Sequence, residues 1–169
     1  YIIPLLLIIL LIILRPFILI RLYDINAHRI GPFAGNTEVY LTRKKANINQ
    51  PSKRYYDICF YDPNPYNVEK ICNKQFDKMV RRVIRIFPTY PFYSAKKLID
   101  KAPKYLNFLS EHSLNISAHD RDVNNLFNKF STSFYFTDLE IKNGKNILKK
   151  MGIAKNSKFV CFTIRDSAY

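Results

Sequence analysis

Tyr55 to Tyr61 (YYDICFY) is a nearly continuous run of β-forming residues, and Asp62-Pro-Asn-Pro65 stops it because proline cannot donate to a sheet ladder. Immediately afterwards the apolar period lengthens. Val68, Ile71, Cys72, Phe76, Met79, Val80, Val83, Ile84 and Phe87 follow helical spacing, with Asn67 as the expected N-cap and Lys74, Lys78, Arg81, Arg82 and Arg85 on the opposite face. A buried-type strand leading into an amphipathic helix is half of a βαβ unit, and it restricts the chain to folds built around a parallel sheet.

The rest of the chain extends this alternation. Pro16 to Tyr23 (PFILIRLY) reads as a strand, Asn36 to Leu41 as a helix and Lys45 to Lys53 as a polar connection. Phe87 to Tyr93 reads as an aromatic, proline-punctuated loop. Ser94 is expected to cap a short helix ending near Pro103, and 107–133 shows no clear period. Thr137-Asp-Leu-Glu140 has capping-box spacing, Ile141, Leu148 and Met151 form an apolar stripe, and Gly152 sits where a C′ glycine belongs. A last strand, Phe159 to Ile164, runs into Arg165-Asp166-Ser167, the usual entry to another α/β unit. The expectation is an α/β chain forming the amino-terminal part of a larger protein. It is divided into a hydrophobic segment over 1–20, a domain over 16–157 and the first strand of a second domain over 158–169.

Composition narrows the function classes. With 48% apolar residues, 12 Tyr and 13 Phe, the chain is no disordered tail. An excess of 27 Lys+Arg over 13 Asp+Glu, a net charge of +14, favours phosphate-bearing partners or anionic membranes unless the lysines only solvate the surface. No nucleic-acid motif or aromatic–basic repeat accompanies the charge, so no nucleic-acid partner is expected. Cys59, Cys72 and Cys161 lack metal-ligand spacing and read as buried free thiols of a reducing compartment. His112 and His119 lie in the unpatterned middle and read as surface residues.

Ile2 to Leu14 is aliphatic throughout except for Pro4. A membrane span needs about 20 apolar residues, so the thirteen form a spanning or interfacial anchor, or else an element of a globular core. A signal peptide is the weaker alternative, because no Ala-x-Ala-like cleavage site follows. Arg15, Arg21, Arg29 and Arg43-Lys44-Lys45 follow the segment, which orients the body to the cytoplasmic side of the inner membrane.

Two stretches carry a family resemblance. His28-Arg-Ile-Gly-Pro-Phe-Ala-Gly-Asn-Thr-Glu-Val-Tyr-Leu41 resembles the amino-terminal signature of a bacterial family of glycosyltransferases. Lys149-Lys-Met-Gly-Ile153, leading into Phe159-Val-Cys-Phe162 and Arg165-Asp-Ser-Ala-Tyr169, is similar to the same family's central signature. The resemblance implies a GT-B-type two-domain fold of which this chain supplies the Rossmann-like amino-terminal half, with sugar transferred from a nucleotide donor. It also implies that the donor site lies mostly in the second domain, where Arg165 and Ser167 would meet the donor phosphates. A guanidinium suits that task because it neutralises diphosphate charge with bidentate geometry; the alternative for Arg165 is a structural ion pair with Asp166.

Other candidate residues follow from chemistry and position. Arg29 and Gly31 stand at a strand-to-helix junction where backbone N–H groups can approach an anion, although Pro32 removes one donor. Asn36 and Glu38 can hydrogen-bond an acceptor sugar in the cleft, or Asn36-Thr37 can cap the helix. A general base would be one of Asp24, His28, Glu38 or Asp62. No Walker A motif or GxGxxG occurs, and no metal site and no bound cofactor are expected. The leading expectation is a membrane-associated glycosyltransferase acting on a surface-polysaccharide or lipid-linked acceptor, with Arg81, Arg82 and Arg85 against anionic lipid. The alternative is a non-enzymatic, membrane-tethered basic module that binds anionic lipid or other polyanions.

Overall fold

The computed structural model describes residues 2–63, 71–116, 122–154 and 157–158. They form α1 (Ile2–Leu14), β1 (Leu19–Ile25), α2 (Ile30–Lys45), β2 (Tyr55–Tyr61), α3 (Lys74–Val83), β3 (Ile86–Phe87), α4 (Thr89–Asp100), a run of 3-10 turns over Lys104–His112, β4 (Ser113–Leu114) and α5 (Asp138–Lys150). The chain divides into two compact units, 1–134 and 135–169.

The first unit is an α/β fold around a four-stranded sheet of order β3-β2-β1-β4, with every pairing parallel. β1 and β2 run in register over their full length, from Leu19 opposite Tyr55 to Ile25 opposite Tyr61. Their alternate side chains feed two separate cores. Tyr23, Ile25 and Cys59 meet Phe33 and Tyr40 of α2 and Met79 and Val80 of α3. Leu22 and Phe60 meet Leu11 of α1, Ala95 and Ile99 of α4, and Leu109. Helices therefore cover both sheet faces, which explains why the strands read as continuous apolar runs.

The thirteen-residue apolar segment is a helix with Pro4 and Leu11 buried. Leu7 and Ile8 also pack into the α4 side of the core. At 1.5 Å per residue it is about 20 Å long against a hydrocarbon core of about 30 Å. Among the described residues no helix is long and apolar enough to cross a membrane.

Several local readings shift. α2 begins at Ile30, so Asn36 and Thr37 lie inside the helix and neither caps it; Thr37 Oγ1 donates back to the Phe33 carbonyl. α3 begins at Lys74, where Asn73 accepts the Phe76 N–H at 2.8 Å, and the Asn67 expected as a cap lies outside the described residues. Cys72 is accordingly exposed ahead of the helix, whereas Cys59 is buried and its thiol is pushed up to about 12 by burial. Phe87 to Tyr93 is less of a loop than its prolines imply, because α4 starts at Thr89 and absorbs a kink at Tyr90. The capping box of α5 forms as read, with Thr137 and Glu140 exchanging backbone bonds, and Gly152 takes φ +81. The final strand, with Cys161, Arg165 and Ser167, lies outside the described residues, as does His119.

Two polar features inside the first unit are structural. Arg21 and Asp57 are direct register partners on the α2 face, joined by two hydrogen bonds of 2.7 and 3.0 Å. Tyr40 OH and Lys44 Nζ also donate to Asp57, at 2.8 and 3.0 Å, and Arg21 lies over the Tyr55 ring. Burial alone would push the Asp57 carboxyl up, but Arg21 and Lys44 outweigh it and hold the group below its ordinary value.

The second feature is His112, which is fully buried rather than at the surface; its Nδ1 donates to the Ile20 carbonyl at 2.6 Å, and Nε2 has no hydrogen-bond partner. Burial pushes the imidazole below its ordinary pKa, with the Ile20 bond opposing and Arg15 reinforcing the shift. The unfolded chain therefore takes up a proton first. Stability from this site is complete above the unfolded value of about 6.5 and is lost as pH falls below it, towards the lowered folded value. Urea midpoints measured from pH 7.5 to 5 should fall, and should fall less in His112→Gln, which keeps a donor for Ile20; equal slopes would remove His112 as the cause.

Candidate functional site at the carboxyl ends of the strands

β1 is the pivot of the sheet, with β2 and β3 on one side and β4 on the other. Loops leaving β1 and β4 diverge at such a switch point and open a crevice beyond the strand carboxyl ends, where ligands bind in open α/β sheets. The chain delivers a cluster of ionisable groups there. Asp24 is the penultimate residue of β1, Asn26 to Arg29 form the loop into α2, and Asp62 follows β2 with its N–H bonded to the Ile25 carbonyl at 3.1 Å.

His28 Nδ1 lies 3.6 Å from Asp62 Oδ1, close enough for electrostatic pairing but longer than a hydrogen bond. Both side chains are only partly exposed, 11% and 20%. Asp62 is raised from its ordinary pKa, first by burial and then by the nearby Asp24 charge, with His28 opposing. Carboxyls shifted by burial and by specific neighbouring charges cluster at functional sites, and structural ion pairs shift them as well. Asn26 adds a buried Oδ1 without a hydrogen-bond partner. Leaving it so costs about 1–3 kcal/mol, which a ligand hydroxyl would offset.

Lys96 was not singled out by the sequence reading, yet it organises the switch point. Its side chain is 3% exposed, and Nζ reaches Asp24 at 3.2 Å, Asp100 at 3.1 Å and Asn115 Oδ1 at 2.6 Å. Ser113 donates to Asp100 at 2.5 Å, which ties β4 to the same cluster. The available signal was a lysine inside the buried stripe of α4, one turn after Phe92 and one before Ile99. On the outer side of this cluster, a cavity of about 510 Å³ is bounded by Asp100, Lys104, Asn107, Ser110, Ser113 and Asn115 among others.

The other sequence candidates are dispersed. Arg29 is exposed at the N-cap of α2 beside His28, and Gly31 lies in the first helical turn. Asn36 donates to the Ile116 carbonyl at 3.5 Å, next to the β4 exit. Glu38 is away from the crevice and accepts from Ser133 N–H at 2.9 Å and Ser133 Oγ at 3.2 Å, so it clasps 132–133 onto α2. Arg81 is committed to Asp77 at 2.9 Å and lies over Tyr61, and Arg85 lies over Phe87. Arg81 and Arg82 belong to α3, on the sheet face opposite α1, whereas the Phe87 ring under Arg85 packs against Phe92 of α4 on the α1 face. Among the described residues no group of His, Cys, Asp and Glu is arranged to hold a metal ion.

Comparison of the chain with protein-family models, with curated proteins and with solved structures gives no match.

Proposed function

We propose that this chain is the Rossmann-like first domain of a membrane-associated, GT-B-type glycosyltransferase that moves a sugar from a nucleotide donor to a surface-polysaccharide or lipid-linked acceptor. The observation that carries the reading is the His28–Asp62 pair at the switch-point crevice, with Asp62 raised and Asp24 held by Lys96. Those contacts narrow the choice of base, since Asp24 is bound in an ion pair and Glu38 holds a loop.

In a direct displacement, Asp62 orients His28 through Nδ1, and Nε2 takes the proton of the acceptor hydroxyl. The acceptor oxygen bonds to the anomeric carbon as the bond to the diphosphate breaks, and the nucleoside diphosphate leaves with the electron pair. Arg165 and Ser167 would meet that developing charge, a role that rests on the resemblance of the Arg165-Asp-Ser-Ala-Tyr169 segment.

Titrating nucleoside diphosphates into the native polypeptide tests the donor half of this reading. One base should bind in the ordinary substrate range of about 1 μM to 1 mM. Arg165→Ala should weaken that binding by tenfold or more without moving the melting temperature. Absence of binding by every nucleoside diphosphate would remove the transferase reading. The exposed apolar face of α1 favours a second reading, a membrane-tethered module without catalysis, which would bind vesicles and no nucleotide.

A further inference from the structure

The outward side of α1 is aliphatic along its whole length. Ile2, Ile3, Leu5, Leu6, Ile9, Leu10, Ile12 and Ile13 are each more than a third exposed, and Phe17 just beyond is 79% exposed. The opposite side, Pro4, Leu7, Ile8 and Leu11, is taken up by the fold. An interfacial helix normally carries its own polar face. Here the domain occupies that face, and the uncovered one is wholly apolar. A contiguous exposed patch of this kind marks an interaction surface.

The occupant is indicated by charge. α4 and the 3-10 run share the α1 layer, and they expose Lys97, Lys101 and Lys104 beside Tyr90 and Tyr105. The acidic residues exposed on this layer are already paired: Glu111 with Arg15 and Lys53, and Asp100 with Lys96. A two-fold contact between copies would set these lysines against one another, whereas an anionic headgroup layer attracts them.

We propose that α1 lies in the plane of an anionic bilayer, with its outer face among the acyl chains and Lys97, Lys101 and Lys104 at the headgroups. The unit is thus docked through its α1–α4 layer and not through Arg81 and Arg82 of α3. α1 turns through Arg15–Phe17 into β1, so the carboxyl end of the helix adjoins the amino end of the strand. The crevice at the strand carboxyl ends therefore lies towards the amino end of the docked helix, within reach of an acceptor held in the same membrane. The inference depends on the membrane association proposed above, not on sugar transfer.

Co-sedimentation of the native polypeptide with preformed vesicles, phosphatidylcholine alone or with 30% phosphatidylglycerol, tests it. Binding to the anionic vesicles is expected to fall at least a hundredfold in Leu6→Glu/Ile9→Glu/Ile13→Glu, which leaves the packed side of α1 intact and retains good helix formers. Lys97→Gln/Lys101→Gln/Lys104→Gln should erase the preference for anionic over neutral vesicles, a loss of about a hundredfold at roughly fivefold per charge. Undiminished vesicle binding by the α1 variant would overturn the proposal. So would a wild-type protein that ignores vesicles, whether the α1 variant converts a dimer to a monomer, which would assign the face to a second copy, or leaves the oligomeric state unchanged. Nucleotide titration of the same samples keeps a failure of docking distinct from a failure of the transferase reading.

Discussion

Arg21→Met should destabilise the first unit by about 3–5 kcal/mol, most of the margin of a typical domain. The substitution leaves Asp57 charged and only 1% exposed at its side chain, with Tyr40 and the partly exposed Lys44 as remaining partners. The cost is that of a buried carboxylate losing its bidentate guanidinium, which exceeds anything an exposed pair contributes. Arg21→Met/Asp57→Leu should recover most of the loss, because an apolar pair of similar volume removes both charges from the interior. Urea denaturation of the two variants separates the cases. If the double variant is as unstable as the single, the network contributes through shape and Gln50–Tyr55 contacts instead of charge.

Asp62→Asn and His28→Ala should each lower turnover of the native polypeptide by about 10²–10⁴-fold, the range of a positioned proton-transfer group. Neither side chain contributes to the two cores, so melting temperatures should hardly change. Glu38→Gln is the contrast: it weakens the clasp on Ser133 and should lower stability while leaving the chemical step intact. A Glu38 variant that loses turnover at unchanged stability would move the base to α2 and dismiss the His28–Asp62 pair.

The fold was legible where burial imposed a period. β2 has the bounds its apolar run implied, and α5 has the capping box and C′ glycine that its sequence spelled out. Long-range pairing was not legible. Arg21 and Asp57 occupy the third position of two seven-residue strands, but only the parallel register reveals that they face each other. His112 read as a surface residue and Lys96 drew no notice because charge and polarity are local properties, while their partners Asp24, Asn115 and Ile20 come from distant parts of the chain. The candidate site was half visible: Asp24, His28 and Asp62 follow strand ends in the sequence, and the sheet order brings them together. Asn36, Thr37 and Glu38 looked like a ligand or capping motif, yet they hold α2 to Ile116, to its own preceding turn and to Ser133.

The pH dependence of kcat/KM for nucleotide-sugar consumption, measured on the native polypeptide and on Asp62→Asn, tests the crevice most directly. A general base must be deprotonated to act, so activity should fall as pH falls. The acid limb should carry the raised Asp62 carboxyl, displaced above the ordinary Asp range by burial and by the Asp24 charge. Asp62→Asn should displace that limb and reduce the plateau. An identical limb in both proteins, or no consumption of any nucleotide sugar at any pH, would contradict the assignment of this crevice to sugar transfer.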